Sequence, residues 1–331
     1  MSGRGPKEWE RRGLVFAAPG NGLACSHAML PTPLVLNDRI RVYVACCDED
    51  LRGRIFRVDL DRDDPRRVIE FGPAPVLDLG PAGAFDEHGV NPSHIIARDG
   101  RLLLYYIGWQ RISAGVPYTL FAGLALSDDG GLSFRRHGTG QILHSVPRER
   151  FFRTAPFVFP DGTDWRMLYI GGGEFLDSAA GKRLPTYSLC ETSSADGYRW
   201  DAPTAPSLLE PDRASGDIGW GRPVLWQENE NTNLLISRRA VTGYTLRQVR
   251  AEGGNLHWST LLPGATEGWE SSMTCFGATC RSGDWEYMFY NGNQYGRSGF
   301  GLARRPTQIP GKSRADLLLA ALRRAASLDR Q

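Results

Sequence analysis

Apolar residues in this chain come in short runs, and five of those runs share one setting. Arg41-Val42-Tyr43-Val44, Leu103-Leu104-Tyr105-Tyr106, Met167-Leu168-Tyr169-Ile170, Leu234-Leu235-Ile236-Ser237 and Tyr287-Met288-Phe289-Tyr290 recur roughly 50 to 67 residues apart. A polar cluster precedes each one and leads into a short strand, usually through a proline. These clusters are Ser26-His27 to Pro31, Asp86-Glu87-His88 to Pro92, Arg153 to Pro156, Gly221-Arg222-Pro223, and Trp269-Glu270-Ser271 to Met273. A third run of small and apolar residues follows, as in Phe121-Ala122-Gly123-Leu124-Ala125-Leu126. Two copies close on a glycine turn and an aromatic: Asp128-Asp129-Gly130-Gly131 to Phe134, and Asp196-Gly197 to Trp200; Gly253-Gly254 to Trp258 is a weaker third. Aromatic-rich runs of this length, bounded by glycine and proline, predict strands. A strand module repeating at this period predicts an all-β fold, a five-bladed β-propeller with one sheet per repeat.

The chain divides accordingly into a tail over 1–12, the propeller over 13–305 and a C-terminal extension over 306–331. The last blade offers three strands, near 272–280, 285–291 and 298–304, before the pattern stops at Arg304-Arg305-Pro306. Gly13-Leu14-Val15-Phe16-Ala17 is expected to supply the missing outer strand, which removes an exposed edge. Ser313 can cap a helix over Arg314–Ser327, with Leu317, Leu318, Ala321, Leu322 and Ala325 on its apolar face. That face would dock on the propeller or on a second subunit, so the helix is where a homo-oligomer or a larger complex would form.

Composition adds constraints. Gly 39 and Pro 21 in 331 residues supply frequent turns, and aromatics reach 10%, which argues against a helical bundle. A formal net charge of +2 does not favour a nucleic-acid partner. The basic residues are nearly all arginine, which suits recognition of carboxylate or phosphate and is equally what a GC-rich genome would encode. No apolar run approaches the length of a membrane span. Met1 to Arg12 is charged and lacks the apolar core of a signal peptide, so a cytoplasmic location is expected. Cys25, Cys46, Cys47, Cys190, Cys275 and Cys280 are then expected to stay thiols. Cys46 and Cys47 would face opposite sides of a strand, and Cys275 with Cys280 lacks the second pair of a zinc knuckle.

The first strand of a propeller blade lines the central channel, so the five polar clusters should gather at one mouth. The carboxylates there are Asp86, Glu87, Glu174 after Gly171-Gly172-Gly173, and Glu270. Asp86 or Glu87 beside His88 makes an acid–base group, and Glu174 or Glu270 could oppose it. Each also has a plain structural use: Asp86 capping the turn before Asn91-Pro92, Glu174 in a loop with Asp177, Glu270 pairing with Arg222 or Arg297. His27 and His88 are either hydrogen-bonded framework residues or, with a carboxylate, a metal site at the channel mouth; no other cofactor is expected. His94, inside the strand, is expected to pack between blades. Arg153 and Arg222 would hold an anionic ligand if unpaired, and Trp109, Trp220, Tyr290 and Tyr295 could stack on a sugar ring. Asn91 and Asn291 complete the candidate binding set.

Three segments carry a family resemblance. They are Asp86-Glu87-His88-Gly89-Val90-Asn91-Pro92-Ser93 with Leu104-Tyr105-Tyr106-Ile107-Gly108-Trp109, then Ser194-Ala195-Asp196-Gly197-Tyr198-Arg199-Trp200, and Phe289-Tyr290-Asn291-Gly292-Asn293-Gln294-Tyr295-Gly296. The chain resembles the five-bladed propeller superfamily of arabinanases, levansucrases and invertases, which includes glycoside hydrolase families 32, 43, 62, 68 and 130. Two of the segments resemble relatives associated with bacterial surface-polysaccharide clusters. The resemblance implies a carbohydrate-active enzyme that cleaves or transfers an anionic or activated sugar. The alternative is a non-catalytic propeller that binds a glycan, sugar phosphate or nucleotide-sugar. The family-43 acids do not carry over: the corresponding positions read Ser26-His27, Phe152-Arg153-Thr154 and Trp220-Gly221-Arg222. The Asn-Asp-Pro and Glu-Cys motifs of family 32 are absent as well.

Overall fold

The computed structural model describes residues 8–178, 181–202, 207–228, 231–263, 268–307 and 315–328. Among these, the strands pair as five successive antiparallel meanders. The first joins Ser26–Val35, Arg39–Cys47, Gly53–Asp61 and Val68–Phe71. The second joins Gly89–Arg98, Arg101–Arg111, Tyr118–Ser127 and Arg135–Arg136. Phe152–Asp161, Asp164–Gly172 and Ser188–Ser194 form the third. Asp217–Glu228, Asn231–Ala240, Gly243–Glu252 and Asn255–Thr260 form the fourth. In the fifth, Cys275–Ser282, Trp285–Asn291 and Phe300–Pro306 are completed by the N-terminal strand Glu10–Phe16, antiparallel to Phe300–Pro306. The closing strand therefore begins at Glu10, three residues before the expected Gly13.

The second strands are buried on both faces, as their unbroken apolar runs require: Ile40, Val42, Leu104, Tyr105, Met167, Tyr169, Leu234, Leu235, Met288 and Phe289 are all inaccessible. The glycine turns join neighbouring meanders. Tyr43 donates to Gly131 O at 3.0 Å and Tyr105 to Gly197 O at 2.7 Å, each reaching from one meander into the next. The closing aromatics pack edge-on to the same tyrosines, Phe134 on Tyr43 and Trp200 on Tyr105. The weaker third copy behaves differently, because Trp258 stacks on Trp220 of its own meander.

Every first strand breaks register near its middle: after Met29, Pro92, Thr154, Gly221 and Cys275. Four of the breaks contain a non-glycine residue with left-handed backbone, Leu30, Ala155, Arg222 and Phe276. These are β-bulges, and they take in Pro31, Pro156 and Pro223, while Pro92 sits at the edge of one. A proline has no N–H for the ladder, but within a bulge none is required.

The helix spans Ala315–Leu328; Ser313 and Arg314 of the expected helix lie outside the described residues. Its buried face is Leu318, Leu319, Ala321 and Leu322, while Leu317 points outward. Leu319 thus takes the place expected for Leu317. The helix packs within the same core cluster as Leu234, Val249, Leu256 and Trp258, and Arg323 pairs with Glu191 of the third meander at 2.6 Å. Its apolar face is covered by the chain's own sheets. No described helix is long and apolar enough to cross a membrane. All six cysteines are free thiols.

Asn291 joins the two ends of the ring. Its amide donates to Ala28 O at 2.8 Å and Gly299 O at 3.0 Å, and its oxygen accepts from Leu30 N at 2.8 Å. The Asn291→Ala variant orphans three buried backbone groups. It is expected to lose at least about 2 kcal/mol in denaturant unfolding; a loss below about 0.5 kcal/mol would show that the contact is dispensable.

Candidate functional site

The bulged first strands converge on one pocket of about 330 Å³, and all five meanders contribute to its wall. His27 and Leu51 come from the first, Asn91 and Trp109 from the second, Thr154 and Tyr187 from the third region, Trp220 and Arg239 from the fourth, and Phe276 and Tyr295 from the fifth. The wall is mostly apolar, with seven aromatic side chains in it. Tyr118 meets Trp109 edge-on, and Tyr295 meets Tyr244 edge-on and lies stacked over Phe276. Gln294 and Tyr295 both hold left-handed backbone, an uncommon strain that fixes the Tyr295 ring as a half-exposed lip.

Of the sequence candidates, His27, Asn91, Trp109, Trp220, Arg222 and Tyr295 line this pocket. The four candidate carboxylates do not, and the described lining holds no aspartate or glutamate. Asp86 is buried, accepting from the Tyr106 hydroxyl at 2.9 Å and from Arg136 Nε at 2.8 Å. Glu270 is buried too, accepting from the Tyr290 hydroxyl at 2.9 Å and from Arg11 Nε at 3.2 Å. Its partner is thus the closing strand's arginine rather than Arg222 or Arg297. Glu87 turns away to the Gly83 N–H at 2.7 Å and the Gln110 amide at 2.9 Å, bonds that lower its pKa. Glu174 is exposed and borders a separate polar pocket with Gly171, Gly172, Gly173 and Glu210.

A carboxylate missing from the sequence reading, Glu149, completes a pattern. It accepts from the Tyr169 hydroxyl at 2.8 Å and stands 2.8 Å from Arg153 Nε. In three meanders a carboxylate in the turn before the first strand bonds a second-strand tyrosine 20 residues later, with an arginine on the other side. That spacing is a signal the sequence already contained. Arg153 and Tyr290 are consumed in these latches, so neither supplies a free group to the pocket.

Arg222 is consumed differently. Its side chain is buried, and it donates to Pro31 O, Phe276 O, Thr32 Oγ1 and Ser93 O at 2.7–3.0 Å. It binds three other meanders together rather than waiting for a ligand, and it does not converge with Arg153. Burial pulls its pKa down to about 9, which leaves it cationic at neutral pH. His94 packs between meanders as expected, stacking on Phe157 and accepting from Val158 N at 3.2 Å.

His88 lies beside Glu87 at 3.5 Å and outside the pocket, whereas His27 is within it, bonded to Ser26 Oγ at 2.8 Å. The two are not joined in a metal cluster: among the described residues no three His, Cys, Asp or Glu side chains come together as metal ligands. Burial, with help from the Arg297 charge, lowers the His27 pKa and favours its neutral ring.

Sequence reasoning missed Arg239, Tyr118, Tyr187 and Tyr244. Register shows what would have found Arg239: it pairs with Gly219 as Trp109 pairs with Gly89, the same position in two meanders. Several lining residues also carry buried polar atoms without a hydrogen-bond partner: Trp109 Nε1, Trp220 Nε1, Thr154 Oγ1, Asn91 Oδ1 and Arg222 Nε. Such groups are costly unless something bonds them.

Comparison with known proteins agrees with this architecture. No protein-family model matches the chain. Two uncharacterised proteins of Mycobacterium tuberculosis, MT1551 and Rv1502, are each 29% identical over 306 residues, covering 89% of this chain and 98% of theirs. Among solved structures, a glycosyl hydrolase from Bacteroides ovatus superposes with a TM-score of 0.66 at 14% identity, covering 92% of this chain and 95% of that one. A glycoside hydrolase family 130 structure, from work on enzymes that target β-1,2-mannosidic linkages, superposes with a TM-score of 0.63 at 12% identity, covering 94% and 97%. The fold is that of these propeller glycoside hydrolases.

The His94 surroundings generate a pH prediction. Burial first, and the Arg222 cation second, push its pKa from 6.5 down to about 3. Between those values the unfolded chain binds the extra proton, so stability is full above pH 6.5 and falls as pH drops toward 3. The His94→Gln variant keeps an acceptor for Val158 N and is expected to show a shallower fall in melting temperature between pH 7 and 4. An equal slope in the two proteins would rule out His94 as a source of the effect.

Proposed function

We propose that the five meanders are the blades of a five-bladed propeller and that its central pocket recognises a carbohydrate, anionic or activated, without the paired carboxylates of glycoside hydrolysis. The observation that carries this reading is the pocket wall: aromatic rings from four of the five meanders, unpartnered N–H and O–H groups among them, two arginines and, among the described residues, no acid. Aromatic faces suit the C–H surface of a sugar ring, and the indole and hydroxyl groups suit its hydroxyls. Hydrolysis by either stereochemical route needs two carboxyl groups astride the bond. Asp86 and Glu270 serve instead as framework latches, and Glu87 and Glu174 lie outside the pocket.

The solved relatives support the fold alone, so the role within surface-polysaccharide biosynthesis rests on sequence resemblance. A catalytic reading would run through His27, whose neutral ring stands in the pocket bonded to Ser26. It would suit transfer from a sugar whose leaving group is already activated, since no acid is then needed.

Saturation-transfer NMR against a panel of monosaccharides and their phosphates tests the binding reading. Trp109→Ala is expected to weaken the best binder about tenfold, about 1.4 kcal/mol, while Glu87→Gln and Glu174→Gln leave it within threefold. If the two glutamine variants abolished turnover of an identified glycoside, a carboxylate mechanism would replace this reading.

A further inference from the structure

Three arginines stand near the centre of the ring, and they differ in what remains for a ligand. Arg153 faces the Glu149 carboxylate. Arg222 donates four hydrogen bonds into the framework. Arg239 is also buried, at 7% exposure, yet among the described residues it has no carboxylate partner. Its Nη1 donates to Pro185 O at 3.2 Å, which takes one of five N–H donors.

We propose that Arg239 reads the charge of the pocket's ligand, and that this ligand is a single sugar ring bearing a carboxylate or phosphate group. The inference rests on the carbohydrate reading of the same pocket. Four tyrosines hold the guanidinium in place. It lies 5.2 Å from the Tyr187 ring centre and 5.6 Å from that of Tyr244, with Tyr118 and Tyr295 also close. Ring faces stabilise a cation, but they do not neutralise it. Burial works against the charged form, but a guanidinium titrates so far above neutral pH that Arg239 stays charged. A buried cation facing a cavity without acids gains most from an anion that brings its own charge. The planar fork of the guanidinium fits the paired oxygens of a carboxylate or phosphate.

The rest of the wall narrows the class. Trp109 Nε1, Trp220 Nε1 and Thr154 Oγ1 are donors without partners, matched to ring hydroxyls rather than to a bare anion. At about 330 Å³ the cavity is at the small end for a ligand site. It suits one ring with its charge more than a nucleotide-sugar held wholly inside.

Isothermal titration of the intact chain with glucose, glucuronate, glucose 1-phosphate and inorganic phosphate tests the inference. The better of the two anionic sugars is expected to bind at least tenfold more tightly than glucose, with an affinity that falls as salt rises; which one wins identifies carboxylate or phosphate. Arg239→Gln is expected to erase that preference, bringing the better anionic sugar to within about threefold of glucose, about 0.7 kcal/mol, and Arg239→Lys to retain part of it. If Arg239→Gln does not fold by circular dichroism, the lysine variant and the salt dependence of the wild type decide. A preference that survives loss of the guanidinium overturns the inference, as does inorganic phosphate binding as tightly as glucose 1-phosphate. Should Trp109→Ala weaken every sugar while Arg239→Gln changes nothing, the carbohydrate pocket stands and only the role of Arg239 is lost. If none of the sugars binds the wild type, the carbohydrate reading falls with it.

Discussion

The ring is held at its centre by a positive charge with no counter-ion among the described residues. Arg222 projects from the fourth meander and is received by oxygens of the first, second and fifth. Ser93 carries the connection onward to the third by donating to Pro156 O. An interior cation costs several kcal/mol unless oxygens replace its water, and here three carbonyls and a hydroxyl do so. The dependence is mutual, because those carbonyls sit at bulges where the strand ladder cannot satisfy them. Arg222 itself holds left-handed backbone within its bulge. Burial, and after it the same charge, disfavours protonation of His94, which makes a second inter-meander contact.

Around that junction the acids are spent near the rim. Asp86, Glu149 and Glu270 each tie the approach to a first strand onto the second strand of the same meander, through a tyrosine hydroxyl. In a hydrolase of this shape, acids near the axis would face substrate; here they face tyrosine and arginine. What remains in the pocket is aromatic surface, a neutral histidine and cations. Fold and chemistry are therefore separable in this chain: the scaffold superposes on glycoside hydrolases along nearly its whole length, while no aspartate or glutamate is among the described residues of the pocket wall.

The repeat made the scaffold legible because every meander repeats one physical problem, a doubly buried second strand beside a half-open first strand. Even the closing strand followed from counting, since three strands at one end and one at the other complete a sheet. The site was less legible for a reason that also repeats. Side chains alternate along a strand only while register holds, and a bulge shifts every later residue relative to its partner strand. Arg222 lies inside such a break, where it still lines the pocket but spends its guanidinium on framework oxygens of three other meanders. Arg153 was misjudged for another reason: its partner Glu149 sits in a turn four residues earlier, outside the clusters that the repeat had marked. Arg239 escaped notice because it ends a second strand, where the pattern promised only core.

The strand that closes the ring is made long before its partner. Glu10–Phe16 finds its partner in Phe300–Pro306, so nearly the whole chain must be translated before that pairing can form. At ordinary elongation rates of about 5–20 residues per second, this leaves the strand waiting for about 15–60 s. Throughout that interval Val15 and Phe16 can meet only the first-meander half of their core, and lack Tyr287, Phe289, Phe300 and Leu302. The closing strand's unpaired edge is then open to chaperones until the fifth meander is made.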